Sequence, residues 1–306
     1  MKFRVGIIGM GVISKFYVHA LQNKLDNPVL TAVCDLSEQR LAPFREQGIP
    51  AYQDYNELLD RADIDGVIIN VPNDKHFEIC RDALLKGKHV CCEKPMTMNM
   101  EEADELVRIA TTVNRTMFTA FHRRYNVHFE KALRQIAEED EIIKVTATYL
   151  EKIEEHAGDD QWYLQPERCG GGCIADNGPN VYDTLAFFLG KLEVISADIT
   201  RNEHHLDMEA HVELVTQSGA PVSVHLDWAY PHGEKKDVTI YLKSGQVLYA
   251  DMLEGFTEFK ASLYHEYEEI TLDFLAKAET NTCHGEDGRD AVRLVRDTYL
   301  AEPVTL

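Results

Sequence analysis

Phe3-Arg4-Val5-Gly6-Ile7-Ile8-Gly9-Met10-Gly11-Val12-Ile13-Ser14 opens the chain with a short, mostly apolar run that stops at a glycine. Residues 3–8 read as a strand buried on both faces, and residues 12–25 read as a helix. Between them, Gly9-Met10-Gly11-Val12-Ile13-Ser14 fits G-x-G-x-x-G with a serine in third place. Gly9 permits a tight turn, and Gly11 lets a pyrophosphate approach the backbone. Ser14 is small enough for helix–strand contact, and the helix N-terminus behind it favours the phosphate charge.

The next apolar run, residues 29–34, ends at Asp35, 21 residues after Ser14. A carboxylate at that strand end accepts hydrogen bonds from adenosine ribose hydroxyls and repels a 2′-phosphate. NAD is therefore expected as cofactor, with NADP less favoured but kept open by the nearby Arg40.

Outward from this pair, strands and helices alternate. Helix follows at 37–47, a short strand at 51–52, and a helix at 55–60 that Asp54 can cap. A strand is expected at 66–71, closed by Pro72, then a helix at 75–86 with Asp74 as its cap. Residues 89–92 are strand, 100–113 helix and 116–121 strand. Repeated β-α-β-α means a parallel sheet covered on both faces. After about residue 123 the pattern changes to a helix at 125–138, one long strand at 142–153 and a helix at 174–189 ended by Gly190. Strands follow at 194–201, 210–216, 221–230, 237–243, 246–250 and 256–259, with a hairpin turn at Ser244-Gly245. Two helices, 266–279 and 288–299, close the chain.

The fold class expected is an α/β N-terminal Rossmann domain with a doubly wound parallel sheet, residues 1–122. A C-terminal α+β domain with a large, mostly antiparallel, open-faced sheet takes residues 123–306, and its last helices are free to pack back on the first domain. An open apolar sheet face marks an interface, so a homodimer or homotetramer is expected.

Composition narrows the function classes. The 306 residues suit two domains. With 31 basic and 52 acidic residues the net charge is −21, which repels phosphate backbones and anionic bilayers and so argues against nucleic-acid and membrane partners. The N-terminus carries no secretory leader pattern, and no stretch approaches 18 apolar residues. Seven cysteines without paired spacing read as reduced thiols, which points to a cytoplasmic compartment. Cys169 and Cys173 lack two further ligands at zinc-like spacing. No metal site is expected.

Two further motifs carry chemistry. Cys92-Glu93-Lys94-Pro95 ends the strand at 89–92, and ligands of open parallel sheets bind at that edge. Gly170 to Asp183 reads G-G-G-C-I-A-D-N-G-P-N-V-Y-D, and the spacing of Asp176, Asn180 and Asp183 stacks them on one helical face with Phe187. Polar groups on a face that should be apolar suggest a lined cavity. Gly178 and Pro179 make the start of that helix irregular.

Together, the glycine-rich first turn, Glu93-Lys94-Pro95, and Gly170 to Asp183 resemble the Gfo/Idh/MocA oxidoreductase family in order and spacing, across essentially the whole chain. The resemblance implies NAD(P)-linked oxidation or reduction of a secondary alcohol on a sugar, cyclitol or related polyol. It implies that Lys94 hydrogen-bonds the reacting oxygen and that Asp176 binds substrate and helps hold Lys94. It implies oligomerisation through the open sheet face. One departure stands out: the family's usual histidine acid/base falls on Asn180, which does not titrate but can donate and accept hydrogen bonds to a hydroxyl. Lys94, with its pKa lowered by burial, would then carry the proton, or Asp176 or Tyr182 would help.

Asn70, Pro72, Asn73 and His76 follow the strand at 66–71, where relatives contact the nicotinamide half of NAD, and Glu93 lies beside them in this reading. Met10, Val12 and Ile13 complete the cofactor loop. Phe121-His122-Arg123-Arg124 ends the strand at 116–121, where Arg123 or Arg124 would bind a carboxylate or phosphate, or else form a hinge salt bridge. Trp162 and Tyr163 would stack on a sugar ring or simply pack. His204-His205 reads as a solvated turn and His225 as a satisfied sheet residue. Two rivals to a polyol dehydrogenase remain: a non-catalytic NAD-binding sensor, which Asn180 favours and Lys94 and Asp176 oppose, and a reductase of a non-sugar carbonyl.

Overall fold

A computed structural model describes residues 2–25, 27–155, 161–258 and 260–303. The chain divides into two compact units, residues 1–120 with 263–289, and residues 121–262 with 290–306.

In the first unit the elements are β1 (Arg4–Ile8), α1 (Ser14–His19, continued as a wider turn over Ala20–Lys24), β2 (Val29–Cys34), α2 (Glu38–Glu46) and β3 (Ala51–Tyr52). There follow α3 (Tyr55–Arg61), β4 (Gly66–Ile69), α4 (His76–Leu85), β5 (His89–Glu93), α5 (Met100–Val113) and β6 (Met117–Ala120). All strand pairs are parallel, in the order β3-β2-β1-β4-β5-β6. Such a sheet needs both faces covered, and its strands are buried almost throughout. Asp54 caps α3 by accepting from the Asn56 amide, as expected, and Asn99 caps α5 through the Glu102 amide. A short 3₁₀ turn, Asn73–Lys75, holds Asp74 and precedes α4, which starts at His76. The late helix α10 (Leu263–Thr280) belongs to this unit. Its Tyr267 packs on Phe16 and Tyr17 of α1, with ring centroids 5.4 and 4.8 Å apart.

The second unit begins with a 3₁₀ turn, His122–Tyr125, and α6 (Val127–Leu133). Asn126 accepts from the His128 amide and caps α6, so the helix expected over 125–138 starts later and is shorter. Then come β7 (Ile142–Leu150), α7 (Pro166–Cys169), α8 (Cys173–Asp176), α9 (Gly178–Leu189), β8 (Leu192–Arg201), β9 (Asp207–Thr216), β10 (Pro221–Asp227), β11 (Lys235–Leu242) and β12 (Val247–Asp251). Helices α10 (Leu263–Thr280) and α11 (Glu286–Leu300) close the chain. The helix expected over 174–189 is two helices, because Pro179 has no N–H to continue the first. No strand forms over 256–258, and Phe259 lies outside the described residues.

The second sheet runs β12-β11-β7-β10-β9-β8, with β7–β10 its one parallel pair. Alternate residues such as Val145, Ala210, Val212, Leu226 and Ile240 join Tyr182 and Leu185 of α9 in a single core. The opposite face is not the apolar surface expected. Its central rows carry Thr146, Thr148, Glu209, His211, Glu213, Ser223 and His225, and large exposed apolar groups appear on β12 as Val247 and Tyr249. Among the described residues no helix is long and apolar enough to cross a membrane. All seven cysteines are free thiols.

Candidate functional site

The first unit gathers its candidates along one edge of the parallel sheet, where each chain segment leaves the C-terminal end of a strand. Gly9 follows β1 with φ +91°, and a Cβ there would fall 2.5 Å from the Asn70 carbonyl oxygen, so only glycine fits. At Gly11 a Cβ would meet nothing within 4 Å: the backbone here borders open space. Ser14 is buried and its hydroxyl donates to the Gly11 carbonyl at 2.7 Å. Met10 is buried, Ile13 partly so, and Val12 is exposed.

Asp35 follows β2 and is nearly buried. Its carboxylate accepts from the amides of Met10 (2.7 Å) and Ser37 (2.8 Å), which locks the glycine loop to the second strand. Arg40 reaches the same carboxylate at 3.4 Å from a side chain that is 57% exposed. Asn70 follows β4. Both of its side-chain amide atoms are buried with no hydrogen-bond partner among the described residues. Buried polar atoms without partners are costly and mark places where something else binds. Pro72 and Asn73 begin the turn into α4, with Asn73 buried.

His76 lies deeper than a contact residue would. It is fully buried, its Nδ1 meets the Pro95 carbonyl at 2.7 Å and its Nε2 the Val71 carbonyl at 2.9 Å. Burial, opposed by those two carbonyls, holds the ring below its ordinary pKa. His76 thus ties the segment after β5 to the segment after β4.

Glu93 ends β5 and Lys94 follows it, and the Lys94–Pro95 peptide is cis. Lys94 is half-buried. Glu93 is buried, and Tyr17 donates to its Oε1 at 3.0 Å. Burial pushes the Glu93 carboxyl up to about 7, against the opposite pull of Lys94 and of hydrogen bonds from Tyr17 and Tyr267. Neither tyrosine carried a signal in the sequence.

The second unit places Asp176 at the end of α8 and Asn180 in the first turn of α9, both buried. Asn177, between the two helices, has a buried Nδ2, and Asn180 a buried Oδ1, each without a hydrogen-bond partner among the described residues. One is a donor and the other an acceptor, the pair a hydroxyl group requires. Asp183 does not share this role, because it is engaged by Arg124: Nε donates to Oδ2 at 2.8 Å and Nη2 pairs with Oδ1. The Arg124 guanidinium also sits 5.0 Å from the Phe187 ring centroid.

Tyr182 corrects the sequence reading. It is fully buried in the core, its hydroxyl bonded to Thr298 at 2.7 Å, and burial raises its pKa, so it is a packing residue and no proton carrier. Arg123 is buried, donating to the Ser262 hydroxyl at 3.2 Å and lying 5.7 Å from the Tyr149 ring centroid. Lys236 approaches that same ring at 4.4 Å and pairs with Glu151 at 2.8 Å, a buried charged cluster that single-residue patterns do not reveal. Trp162 stacks on Tyr163 with ring centroids 3.8 Å apart, so each aromatic already has a partner.

The glycine loop before α8 is held by Asp207, another residue without a sequence signal. Its carboxylate accepts from the amides of Gly172 and Ile174, both at 2.8 Å, and from the Tyr299 hydroxyl at 3.0 Å. A Cβ at Gly172 would lie 2.0 Å from the Asp207 carbonyl oxygen, which accounts for that glycine by packing alone.

Comparisons with known proteins agree with the fold. Residues 3–121 match an oxidoreductase family with an NAD-binding Rossmann fold, and residues 113–248 match the GFO/IDH/MocA C-terminal domain. A myo-inositol 2-dehydrogenase of Thermotoga maritima is 28% identical over 64% of this chain, and the match spans 58% of that relative's length. An uncharacterised oxidoreductase, YrbE, of Bacillus subtilis is 25% identical over 95% of this chain and 92% of its own. GenD2 from gentamicin A biosynthesis, solved with NAD, superposes with a TM-score of 0.87 at 18% identity over 98% of this chain and 94% of that one, a likeness of fold.

Proposed function

Because the chain belongs to the Gfo/Idh/MocA family of NAD-binding oxidoreductases, we propose that it moves hydride between a nicotinamide and a secondary alcohol or ketone of a sugar, cyclitol or related polyol. The observation that carries the substrate class is the pair of unpartnered amide atoms, Asn177 Nδ2 and Asn180 Oδ1, which can satisfy both the oxygen and the proton of a hydroxyl. The inositol dehydrogenase among the relatives supports the same class.

The residues fit a dinucleotide. The open space at Gly11 suits a pyrophosphate, Asp35 suits ribose hydroxyls, and the unpartnered amide of Asn70 suits a carboxamide. When bound, the nicotinamide supplies the hydride chemistry. Lys94 takes the hydroxyl proton in the oxidative direction and returns it in the reductive one. Asp176, Asn177 and Asn180 orient the polyol. His76 acts through Lys94 and Pro95 by fixing the backbone that carries them.

A second reading, an NAD-binding sensor, rests on Asn180, which cannot titrate. A screen of NAD reduction against cyclitols, sugars, uronates and sugar phosphates separates the two. Turnover with a polyol is expected. Tight NAD binding without turnover on any of these classes favours the sensor.

A further inference from the structure

We propose that Glu93 is a positioning residue for Lys94: its buried carboxylate holds the Lys94 main chain, and its charge sets how tightly the lysine amine keeps its proton. This rests on the reading that Lys94 carries the proton of the reaction. Glu93 is the last residue of β5 and is 7% exposed. Tyr17 of α1 donates to its Oε1 at 3.0 Å, and the Tyr267 hydroxyl of α10 and the Lys94 backbone amide donate to the same carboxylate. The two tyrosines are buried and meet edge to face, ring centroids 4.8 Å apart. Three donors from three parts of the chain therefore hold the carboxylate against Lys94.

The main chain on the other side of Lys94 is held as well, because the Pro95 carbonyl meets His76 Nδ1 at 2.7 Å. Lys94 thus lies between two backbone tethers, one at its own amide and one at the next carbonyl, with its side chain half-buried.

The charges around Glu93 single out Lys94. Cys91 shares its face of β5, since the Tyr17 hydroxyl lies 3.8 Å from Cys91 Sγ. Burial, with the Glu93 charge adding to it, pushes the Tyr17 hydroxyl and the thiols of Cys91 and Cys92 up, so all three stay protonated near neutral pH. Burial holds His76 below its ordinary value, so its ring is neutral there. Lys94 is the cation that acts on the Glu93 carboxyl, opposing the burial that lifts it to about 7. An ionised Glu93 favours the ammonium form of Lys94, which donates a proton to a ketone. A neutral Glu93 favours the amine, which accepts one from an alcohol. The proton of the reaction stays with Lys94, and Glu93 acts on it by charge and by tether.

The test follows the Lys94 amine directly in the full chain, without nucleotide or substrate. Lysines are methylated reductively with carbon-13 formaldehyde, the Lys94 signal is identified by its loss in Lys94→Ala, and its shift is followed against pH. Glu93→Gln, which keeps the shape and the acceptor for the Lys94 amide, should lower the Lys94 midpoint by about one unit. Glu93→Asp, which keeps the charge, should stay closer to wild type. The wild-type signal should also carry a small step near pH 7, as Glu93 loses its proton, and that step needs no variant that might fail to fold. An unchanged midpoint in folded Glu93→Gln, or a wild-type signal with no step near pH 7, overturns the proposal. Steady-state kinetics keep the two readings apart. The pH–rate profile of Glu93→Gln should move with the Lys94 midpoint, and a shifted midpoint beside an unmoved profile upholds the link between the two residues while removing Lys94 as the proton carrier.

Discussion

Arg124 and Asp183 form a two-point ion pair with side chains only 11% and 3% exposed, so neither charge has water to fall back on. Removing one partner of such a pair leaves the other charge buried and uncompensated, which costs about 3–5 kcal/mol. Arg124→Ala should lower the unfolding free energy by about that much. Arg124→Ala combined with Asp183→Ala should recover part of the loss. Urea unfolding of the single and double variants measures both, and a single-variant loss below about 1 kcal/mol would contradict a buried pair.

Glu93 makes stability depend on pH. Its carboxyl ionises at about 7 in the folded chain against an ordinary 4.5, because it is buried. Between those values the folded state keeps a proton that the unfolded state has lost, so stability falls as pH rises from about 4.5 to about 7. The full effect is about 3 kcal/mol, and below pH 4.5 it adds no slope. Thermal melts of the cofactor-free protein across that window should show the decline, and Glu93→Gln should flatten it. An unchanged pH dependence in the variant would assign the slope to another group.

The parts of the fold legible in the sequence are those encoded locally. Gly9, Gly11 and Asp35 announce a nucleotide-binding turn because a positive φ, a close backbone approach and a carboxylate at a strand end are each demanded of particular residues. Gly178 and Pro179 mark an irregular turn for the same reason, although the division into two helices at that point was not expected. What stayed hidden depends on distant partners. The Glu93 carboxyl is set by Tyr17 and Tyr267, and the Gly172 loop by Asp207 and Tyr299, pairings that no spacing rule connects. Helical spacing put Asp183 on the face of Asn180, but Arg124 claims it. On the second sheet the alternation of β9 was readable, yet only the register brings His225 beside His211 and Glu209.

Asp35 should set the nucleotide preference. Both its oxygens are already engaged by the Met10 and Ser37 amides, so the carboxylate cannot swing away from an incoming 2′-phosphate. NAD should bind at least about tenfold tighter than NADP, a gap of about 1.4 kcal/mol. Asp35→Ser should narrow that gap, with Arg40, partly exposed beside it, then available to the phosphate. Fluorescence titration with both nucleotides decides, and equal or reversed affinities in the wild type reject the assignment.

Lys94 is the residue on which the proposed chemistry turns. Asn180 cannot titrate, and Tyr182 is buried with its hydroxyl on Thr298, so neither competes for the proton. Glu93 titrates near neutrality, but it is buried and bonded to Tyr17. General acid–base groups contribute about 10²–10⁴-fold to rate. Lys94→Ala should therefore lower kcat by about that range, while NAD affinity changes little because Gly9, Gly11 and Asp35 remain. His76→Ala, which removes a support of the same backbone, should lower kcat less. Asp176→Ala should raise KM and lower kcat together, as expected of a group that binds substrate. Asn180→His tests the geometry from the other side: an added imidazole at that position should shift the pH–rate profile toward neutrality. Steady-state kinetics on the substrate found by the screen give all four readouts, and a Lys94→Ala enzyme with wild-type turnover would remove the lysine from the mechanism.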